Sequence, residues 1–226
     1  MRTSEVIVQK NKALVKRAAA IDRILKRLFP HAHMALRCSS PWECLVAVEL
    51  SAQCTDKKVN EVTAKLFKKY RTLDDYVRAT PGEFMRDIRP TGFFRNKTRN
   101  ILAAAKLIRA NFDGKVPRTM SEILTVPGVA RKTANVVLGN VYGVVEGIAV
   151  DTHVRRLSRA WGLTKHADPV KIERDLMVLL PKREWFAWTY RVIDYGRTYA
   201  PAKKRDHTGE PLAGFYVKEK RKVPAA

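Results

Sequence analysis

Cysteine is scarce in this sequence of 226 residues, and long apolar runs are absent. The three cysteines, Cys38, Cys44 and Cys54, are odd in number and lack CxxC spacing, which argues against a disulfide framework and a thiolate metal site. No apolar stretch approaches the roughly 18 to 20 residues that cross a bilayer, and basic residues interrupt the N-terminal region where a signal peptide needs an apolar segment. We therefore expect a cytoplasmic protein with reduced thiols, no metal, no cofactor and no membrane partner.

Acidic residues are also scarce, because 22 Asp and Glu face 44 Lys and Arg, for a formal charge of +22. A net positive charge of that size destabilises the compact state by self-repulsion, and a polyanionic partner usually offsets it. Nucleic acid is the first candidate; an anionic membrane surface would be the second, but the lack of a long apolar run disfavours it. Basic residues crowd the N-terminal helix and the last segment, where we interpret Lys203, Lys204, Arg205 and the run Lys218 to Lys222 as phosphate contacts.

Alternation of the kind that marks strands is missing as well. Apolar residues instead recur at helical spacing almost throughout, for example at Ile101, Ala104, Ala105 and Ile108. Two candidate capping boxes (80–83 and 119–122), and an aspartate before a proline at 168–169, mark helix starts. The sequence therefore predicts an all-α fold with short turns, in one globular unit or two small lobes.

A Pro-Gly turn joins two helical segments between Leu124 and Thr133. The backbone N–H groups of such a turn, together with the positive end of the next helix, can seat a phosphate without sequence preference. Pro-Gly turns are common, so the residues that follow decide its significance. The candidate contacts with the DNA backbone are Pro127, Gly128, Val129, Ala130, Arg131 and Thr133.

Two ionisable residues follow the turn. Lys132 lies in the first turn of the next helix, where an isolated lysine would be an ordinary surface residue. Asp151 follows a short apolar run and precedes a helical pattern, so we expect it to be a helix N-cap. A capping carboxylate can also take part in catalysis.

Three segments resemble endonuclease III, a family of helix-hairpin-helix DNA glycosylases: 50–56 (LSAQCTD), 126–135 (VPGVARKTAN) and 149–153 (AVDTH). The resemblance runs from about Trp42 to Arg197, with the motifs in the family's order and spacing. It implies a two-lobed, all-α helix-hairpin-helix fold. One lobe is a six-helix barrel over residues 34–144, and the other combines 1–33 with 145–226 and ends in a basic tail.

The resemblance also implies a chemistry. Lys132 matches the family's lysine that attacks the sugar C1′ and forms a Schiff base, and Asp151 matches its carboxylate partner. The implied protein is a bifunctional glycosylase and AP lyase of base excision repair, acting as a monomer in the bacterial nucleoid. Its substrate is duplex DNA with oxidised pyrimidines or abasic sites. Because an amine must be neutral to attack, we expect burial against the hairpin, in a strongly basic protein, to lower the pKa of Lys132.

The target nucleotide of such an enzyme leaves the base stack, and side chains fill the gap. The resemblance assigns this role to Gln53, in the S-A-Q motif, and to Phe93, in a second loop. Phe93 stands where the family usually carries an aliphatic residue. An aromatic ring there can stack as well as wedge.

Two further positions depart from the family within the first lobe. Ala130 replaces the hairpin's second glycine, so either its φ is negative or the turn differs, because a β-carbon is costly in the left-handed region. Glu49 lies in an apolar stretch, and we expect its helical phase to expose it. The alternative that remains open is a protonated, functional carboxyl.

The largest departure concerns an iron–sulfur cluster. The family normally places four cysteines after the segment that ends at Arg197, and the corresponding positions here are Ala200, His207, Glu210 and Tyr216. None is the thiolate that such a cluster needs. We expect a variant without the cluster, in which Pro201, Pro211, Leu212, Phe215 and Tyr216 hold the loop.

Other functions remain open at this point. An adenine-specific or mismatch-specific relative is disfavoured by the lysine at position 132. Charge and hairpin would also suit a DNA-binding protein that has lost its chemistry, or a monofunctional glycosylase with weakened lyase activity. Retention of both Lys132 and Asp151 favours the enzyme.

Overall fold

The structure, a computed structural model, describes residues 2–217, with side chains from residue 12 onward. Within this range the regular elements are helical and no strand is present, which confirms the all-α prediction. The α-helices are α1 (Arg2–Leu28), α2 (Pro41–Leu50), α3 (Asp56–Lys69), α4 (Leu73–Arg78), α5 (Pro81–Ile88), α6 (Phe94–Asn111), α7 (Met120–Ile123), α8 (Arg131–Tyr142), α9 (Thr152–Ala160), α10 (Pro169–Leu179) and α11 (Trp185–Thr198). Short 3₁₀ turns lie at Arg89–Thr91, Lys182–Glu184 and Ala213–Phe215.

Two compact units make up the chain. The hairpin unit is Met34–Glu146, and the terminal unit combines Met1–His33 with Gly147–Ala226. Among the described residues, no helix has the length and apolar character that a bilayer crossing requires.

Side-chain caps set the helix starts, as the sequence predicted. Thr80, Thr119 and Asp168 each accept a hydrogen bond from the backbone N–H three residues later. Thr72 and Asp75 form a reciprocal capping box at α4 that the sequence analysis did not single out. Each cap satisfies an N–H group that the helix itself leaves unpaired, typically contributing about 1 kcal/mol.

The hairpin unit buries α2 almost all round. Every residue of α2 from Cys44 to Leu50 is buried, so this helix has no polar face along that stretch. The apolar positions predicted on α6 are buried in the same unit as α2. An aromatic cluster of Trp42, Tyr70, Tyr76 and Phe84 closes the side formed by α4 and α5.

The terminal unit packs α1, α9, α10 and α11 around two fully buried tryptophans, Trp161 and Trp188. An ionic network also ties α1 to α11. Arg191 contacts Asp22 at 3.1 Å and Glu184 at 2.9 Å. Because each of these charges has a partner, their burial is compatible with a stable core.

Candidate DNA-binding and catalytic site

The predicted helix-hairpin-helix is formed by α7, a tight turn and α8. Within the turn, the Val129 N–H donates to the Val126 carbonyl at 3.1 Å, and Gly128 adopts φ +85°. Ala130 has φ −90°, so its β-carbon meets no left-handed strain. The replacement of the second glycine is therefore compatible with the hairpin, because Gly128 alone supplies the left-handed residue.

Lys132 lies in the first turn of α8 and is exposed. The expectation that Lys132 is buried against the hairpin was therefore wrong. This residue lies at the N-terminal end of α8, which carries the positive pole of the helix dipole.

The two candidate gap-filling residues share an unusual backbone. Gln53 has φ +52° and Phe93 has φ +47°, although neither is a glycine. A left-handed residue with a β-carbon costs about 1 kcal/mol or more, and such strain persists only where the surroundings hold it in place. Both residues are exposed, Phe93 with 61% of its surface accessible. Both loop tips are thus held in strained turns that present a side chain to solvent.

A buried lysine connects these two loops. The Lys97 ammonium donates to the Leu50 carbonyl, just before the Gln53 turn, and to the Thr91 carbonyl, just before Phe93, both at 2.8 Å. Burial lowers the pKa of Lys97. Lys97 was not among the predicted site residues, although its place on the apolar face of α6, four residues before Ile101, indicates burial.

A cavity of about 390 Å³ brings together residues from three separate sequence motifs. Gln53, Phe93, Gly128, Lys132 and Thr133 all line it. Its remaining walls are Val48, Glu49, Ala52, Asn96, Lys97 and Asn100. The other hairpin candidates, Pro127, Val129, Ala130 and Arg131, belong to the same turn and helix start but do not line the cavity.

Glu49 overturns the expectation that its helical phase exposes it. Only 7% of its surface is accessible, and its Oε1 has no hydrogen-bond partner among the described residues. A β-carbon built on Gly128 would lie 2.6 Å from Glu49 Oε2, so the carboxyl group sits directly against the hairpin turn. Burial raises the pKa of Glu49 to about 8.

Asp151 is the N-cap of α9 in the terminal unit, as predicted. Its Oδ1 accepts a hydrogen bond from the Val154 N–H at 2.8 Å, and the side chain is half-buried. Nearby, the His153 imidazole lies against Gly196 of α11, where an added β-carbon would be 2.3 Å from Nδ1. Residues 151–153 are therefore fixed by the helix start and by a contact that requires glycine.

The four positions that correspond to cluster ligands do not fit an iron–sulfur cluster. Ala200 is fully buried and carries no donor atom, and the other three positions are joined to one another by hydrogen bonds. Glu210 accepts from the Tyr195 and Tyr216 hydroxyls, both at 3.1 Å, and contacts His207 at 2.9 Å. Without a thiolate, this set lacks the soft ligands that iron–sulfur clusters bind.

The C-terminal segment, residues 200–217, is anchored by these polar contacts and by apolar packing. Leu212 is fully buried, and Phe215 and Tyr216 pack against the core of the terminal unit as expected, whereas Pro201 and Pro211 are exposed. On α1, Arg17 donates to the Trp161 and Phe215 carbonyls, the former at 2.7 Å.

The basic residues of this segment differ in their surroundings. Lys204 contacts Glu210 at 2.8 Å and donates to the Tyr199 carbonyl at 3.1 Å, so it has a structural partner. Lys203 and Arg205 are exposed. The predicted run Lys218 to Lys222 lies outside the described residues.

Comparison with known proteins identifies the relatives of this arrangement. Residues 46–182 match the model of the HhH-GPD superfamily of base excision DNA repair proteins. Endonuclease III from Synechocystis is 47% identical over 92% of each chain. The chain belongs to the endonuclease III family.

Solved structures of endonuclease III agree with this assignment. A non-covalent complex of endonuclease III with DNA superposes with a TM-score of 0.83 at 42% identity, covering 88% of this chain and 92% of that one. A trapped covalent intermediate between endonuclease III and DNA gives the same TM-score at 41% identity, covering 88% and 95%. This endonuclease III family member is a DNA glycosylase and AP lyase of base excision repair, and its partner is DNA.

Proposed function

We propose that this chain excises oxidised pyrimidines from double-stranded DNA and cleaves the abasic site, with Lys132 as nucleophile and Asp151 as its carboxylate partner. The observation that carries the proposal is the cavity beside the hairpin, which places Lys132 among the two loop tips at Gln53 and Phe93. A base leaving the stack needs a recess, and the sugar attached to it needs a nucleophile at the recess wall. The substrate also implies a cytoplasmic location with the nucleoid, and a monomer suffices for the reaction.

The chemistry follows from these positions. The neutral Lys132 amine attacks C1′, the glycosidic electron pair leaves with the base, and loss of the amine proton with ring opening gives a Schiff base. The iminium acidifies the C2′ proton, whose removal expels the 3′ phosphate by β-elimination. Asp151 stabilises the positive charge that develops on the sugar, a role in which a preorganised carboxylate is effective.

The backbone of the hairpin, residues 127–133, seats a phosphate next to this cavity, because its N–H groups and the α8 dipole favour an anion. Gln53 and Phe93 enter the space that the extruded nucleotide vacates. Their strained turns present them before DNA arrives, so binding does not have to order them.

Borohydride trapping tests the nucleophile. The wild-type protein is expected to form a covalent adduct with abasic DNA, and Lys132→Ala is expected to form none. Lys106→Ala, an exposed lysine on the same unit, is the matched control and should trap normally. Normal trapping by Lys132→Ala would refute the assignment.

Asp151→Asn separates catalysis from capping. Asparagine retains the oxygen that caps α9, so the helix should persist while the charge is lost. We expect base removal to slow by about 10²- to 10⁴-fold. Unchanged excision in this variant would leave Asp151 with a structural role alone.

The basic C-terminal segment is proposed to add phosphate contacts through Lys203 and Arg205, and through Lys204 to the extent that its pairing with Glu210 permits. Each neutralised phosphate contributes about −0.9 to the slope of log K against log salt. The double variant Lys203→Ala/Arg205→Ala should therefore flatten the slope by about 1 to 2. An unchanged slope would show that these charges do not meet DNA.

A further inference from the structure

Glu49 is a buried group that the proposed reaction does not use. It lies on α2, which is apolar on all sides around it, and its carboxyl lies against Gly128 in the wall of the cavity. A buried oxygen without a hydrogen bond typically costs about 1 to 3 kcal/mol, so such a group calls for a function that offsets it. A cavity ligand with complementary polar atoms would supply the missing bonds.

We propose that Glu49 recognises the extruded base, by pairing its carboxyl group with the adjacent N–H and carbonyl of an oxidised pyrimidine ring. The inference rests on the proposed function, because it requires that a base enters the cavity. Glu49 is then a specificity-determining residue for base excision, and it has no part in strand cleavage at a site that already lacks its base.

The pairing depends on the protonation state of the carboxyl. A neutral carboxylic acid offers one O–H donor beside one carbonyl acceptor, whereas a carboxylate only accepts. The imide edge of a saturated or oxidised pyrimidine such as thymine glycol presents the complementary N–H beside a carbonyl. The protonated carboxyl group therefore forms two parallel hydrogen bonds with the base. An ionised carboxylate would keep only the bond from the base N–H, and its second oxygen would face the oxygen of the base carbonyl and be repelled by it.

The surroundings of Glu49 keep the proton in place. Burial raises its pKa to about 8, so the neutral form dominates at pH 7. The charged groups that line the cavity with it are Lys97 from α6 and Lys132 from α8, while α3 contributes no titratable group to the described lining. The Lys97 ammonium is already directed at two backbone carbonyls, and it is not bonded to Glu49.

The test compares two substrates under single-turnover conditions: a duplex with thymine glycol and the same duplex with an abasic site. Glu49→Ala is expected to slow excision of thymine glycol by about 10- to 100-fold, the range seen when a site loses hydrogen bonds to its substrate. Cleavage of the abasic duplex should stay near the wild-type rate. Glu61→Ala, which makes the same substitution at an exposed position on α3, is the matched control and should leave both rates unchanged.

Glu49→Gln tests the role of the proton. The amide also carries a donor beside an acceptor, so excision at pH 7 should stay close to wild type. The ratio of wild-type to Glu49→Gln excision rates should then fall as pH rises through about 8, because only the carboxyl ionises. This ratio cancels any pH dependence of the reaction that both proteins share.

Three results would overturn the inference. Equal losses on both substrates in Glu49→Ala would mark a structural role, and wild-type excision in that variant would mean no contact with the base. A pH-independent ratio of wild-type to Glu49→Gln rates would also refute it, even if Glu49→Ala did not fold. A wild-type protein that processed neither substrate would instead refute the proposed function, which keeps the two failures distinct.

Discussion

Two buried glutamates show how differently the two units use the same side chain. Glu49 in the hairpin unit and Glu210 in the terminal unit each have 7% of their surface accessible. Glu210 is surrounded by donors from Tyr195, Tyr216, Lys204 and His207, whereas Glu49 Oε1 has no partner among the described residues. Burial alone would raise the pKa of either carboxyl group. The hydrogen-bond donors around Glu210 outweigh burial and lower the pKa of Glu210. Within the described part of the chain Glu49 has no such donors, and burial raises its pKa to about 8.

The difference separates structural from functional burial. A carboxylate that accepts hydrogen bonds from several side chains holds those side chains in place, and few of its lone pairs remain for a ligand. A buried carboxyl group without a hydrogen-bond partner destabilises the free protein, and it can form hydrogen bonds with a ligand that enters its cavity. Substitutions in both units test this contrast.

Removal of the Glu210 side chain should be the most damaging change. Glu210→Ala leaves the buried Tyr195 hydroxyl and the half-buried Tyr216 hydroxyl without their acceptor, and we expect the free energy of unfolding to fall by about 3 kcal/mol. Urea unfolding measures the loss. An iron chelator should leave the wild-type curve unchanged, and a chelator-sensitive midpoint would show that a metal holds this segment. A loss below about 1 kcal/mol in Glu210→Ala would remove the contrast with Glu49.

The contact between Glu49 and Gly128 can be measured with alanine substitutions at glycine. Gly128→Ala combines a left-handed φ with a β-carbon 2.6 Å from Glu49 Oε2, and should cost about 2 to 3 kcal/mol of stability. Gly143→Ala, with φ +65° and no neighbour within 4 Å, should pay only the backbone cost of about 1 kcal/mol. In a Glu49→Ala background, Gly128→Ala and Gly143→Ala should reduce the stability by similar amounts. If Gly128→Ala still cost as much more than Gly143→Ala in that background, the Glu49 carboxyl would not be the cause of the difference.

Stability should also depend on pH through Glu49. Its folded pKa of about 8 lies above its ordinary value of 4.5, so the contribution is complete below pH 4.5 and is lost as pH rises through about 8. Between pH 6 and 8, wild type should lose about 2 kcal/mol relative to Glu49→Gln, which lacks this ionisation. Denaturant unfolding of both proteins across this range checks the sign. Parallel pH profiles would mean that Glu49 is ionised in the folded protein.

The smallest effect on stability is expected at Lys97. Lys97→Met keeps the stem in place but removes both hydrogen bonds that join the Gln53 and Phe93 loops, and should cost about 1 kcal/mol. Its effect on function should be larger, with affinity for lesion-containing duplex reduced by about tenfold because two strained turns lose their shared anchor. A fluorescence anisotropy titration measures this. Unaltered affinity would mean that each loop holds its own conformation.

The local parts of this structure could be predicted from sequence, and the two glutamates show why the rest could not. Thr80, Thr119, Asp151 and Asp168 cap helices because a cap depends on residues within one turn. Glu49 was assigned to an exposed phase, but α2 is apolar all round, so helical periodicity cannot choose a face. Its carboxyl lies against Gly128, which is far away in the chain, and periodicity within α2 carries no information about that contact.

The site residues divide in the same way. Motif resemblance identified Gln53, Phe93 and Lys132, and all three line one cavity. Nothing in their identity predicted the left-handed backbone of the first two, because the residue types that favour positive φ are glycine and, less often, asparagine or aspartate. The exposure of Lys132 was also not predictable, since it depends on how the hairpin turn orients the first turn of α8.

The terminal unit is assembled from both ends of the chain, and this arrangement sets an order of events during synthesis. The apolar face of α1, at Ala18, Ile21 and Leu25, is covered by side chains that extend to Leu212. The hairpin unit is continuous in sequence and is complete once Glu146 has left the ribosome. At about 5 to 20 residues per second, the face of α1 waits on the order of ten seconds or more for its partners. Exposed cations on α1, such as Lys16 and Arg23, repel neighbouring nascent chains through that interval.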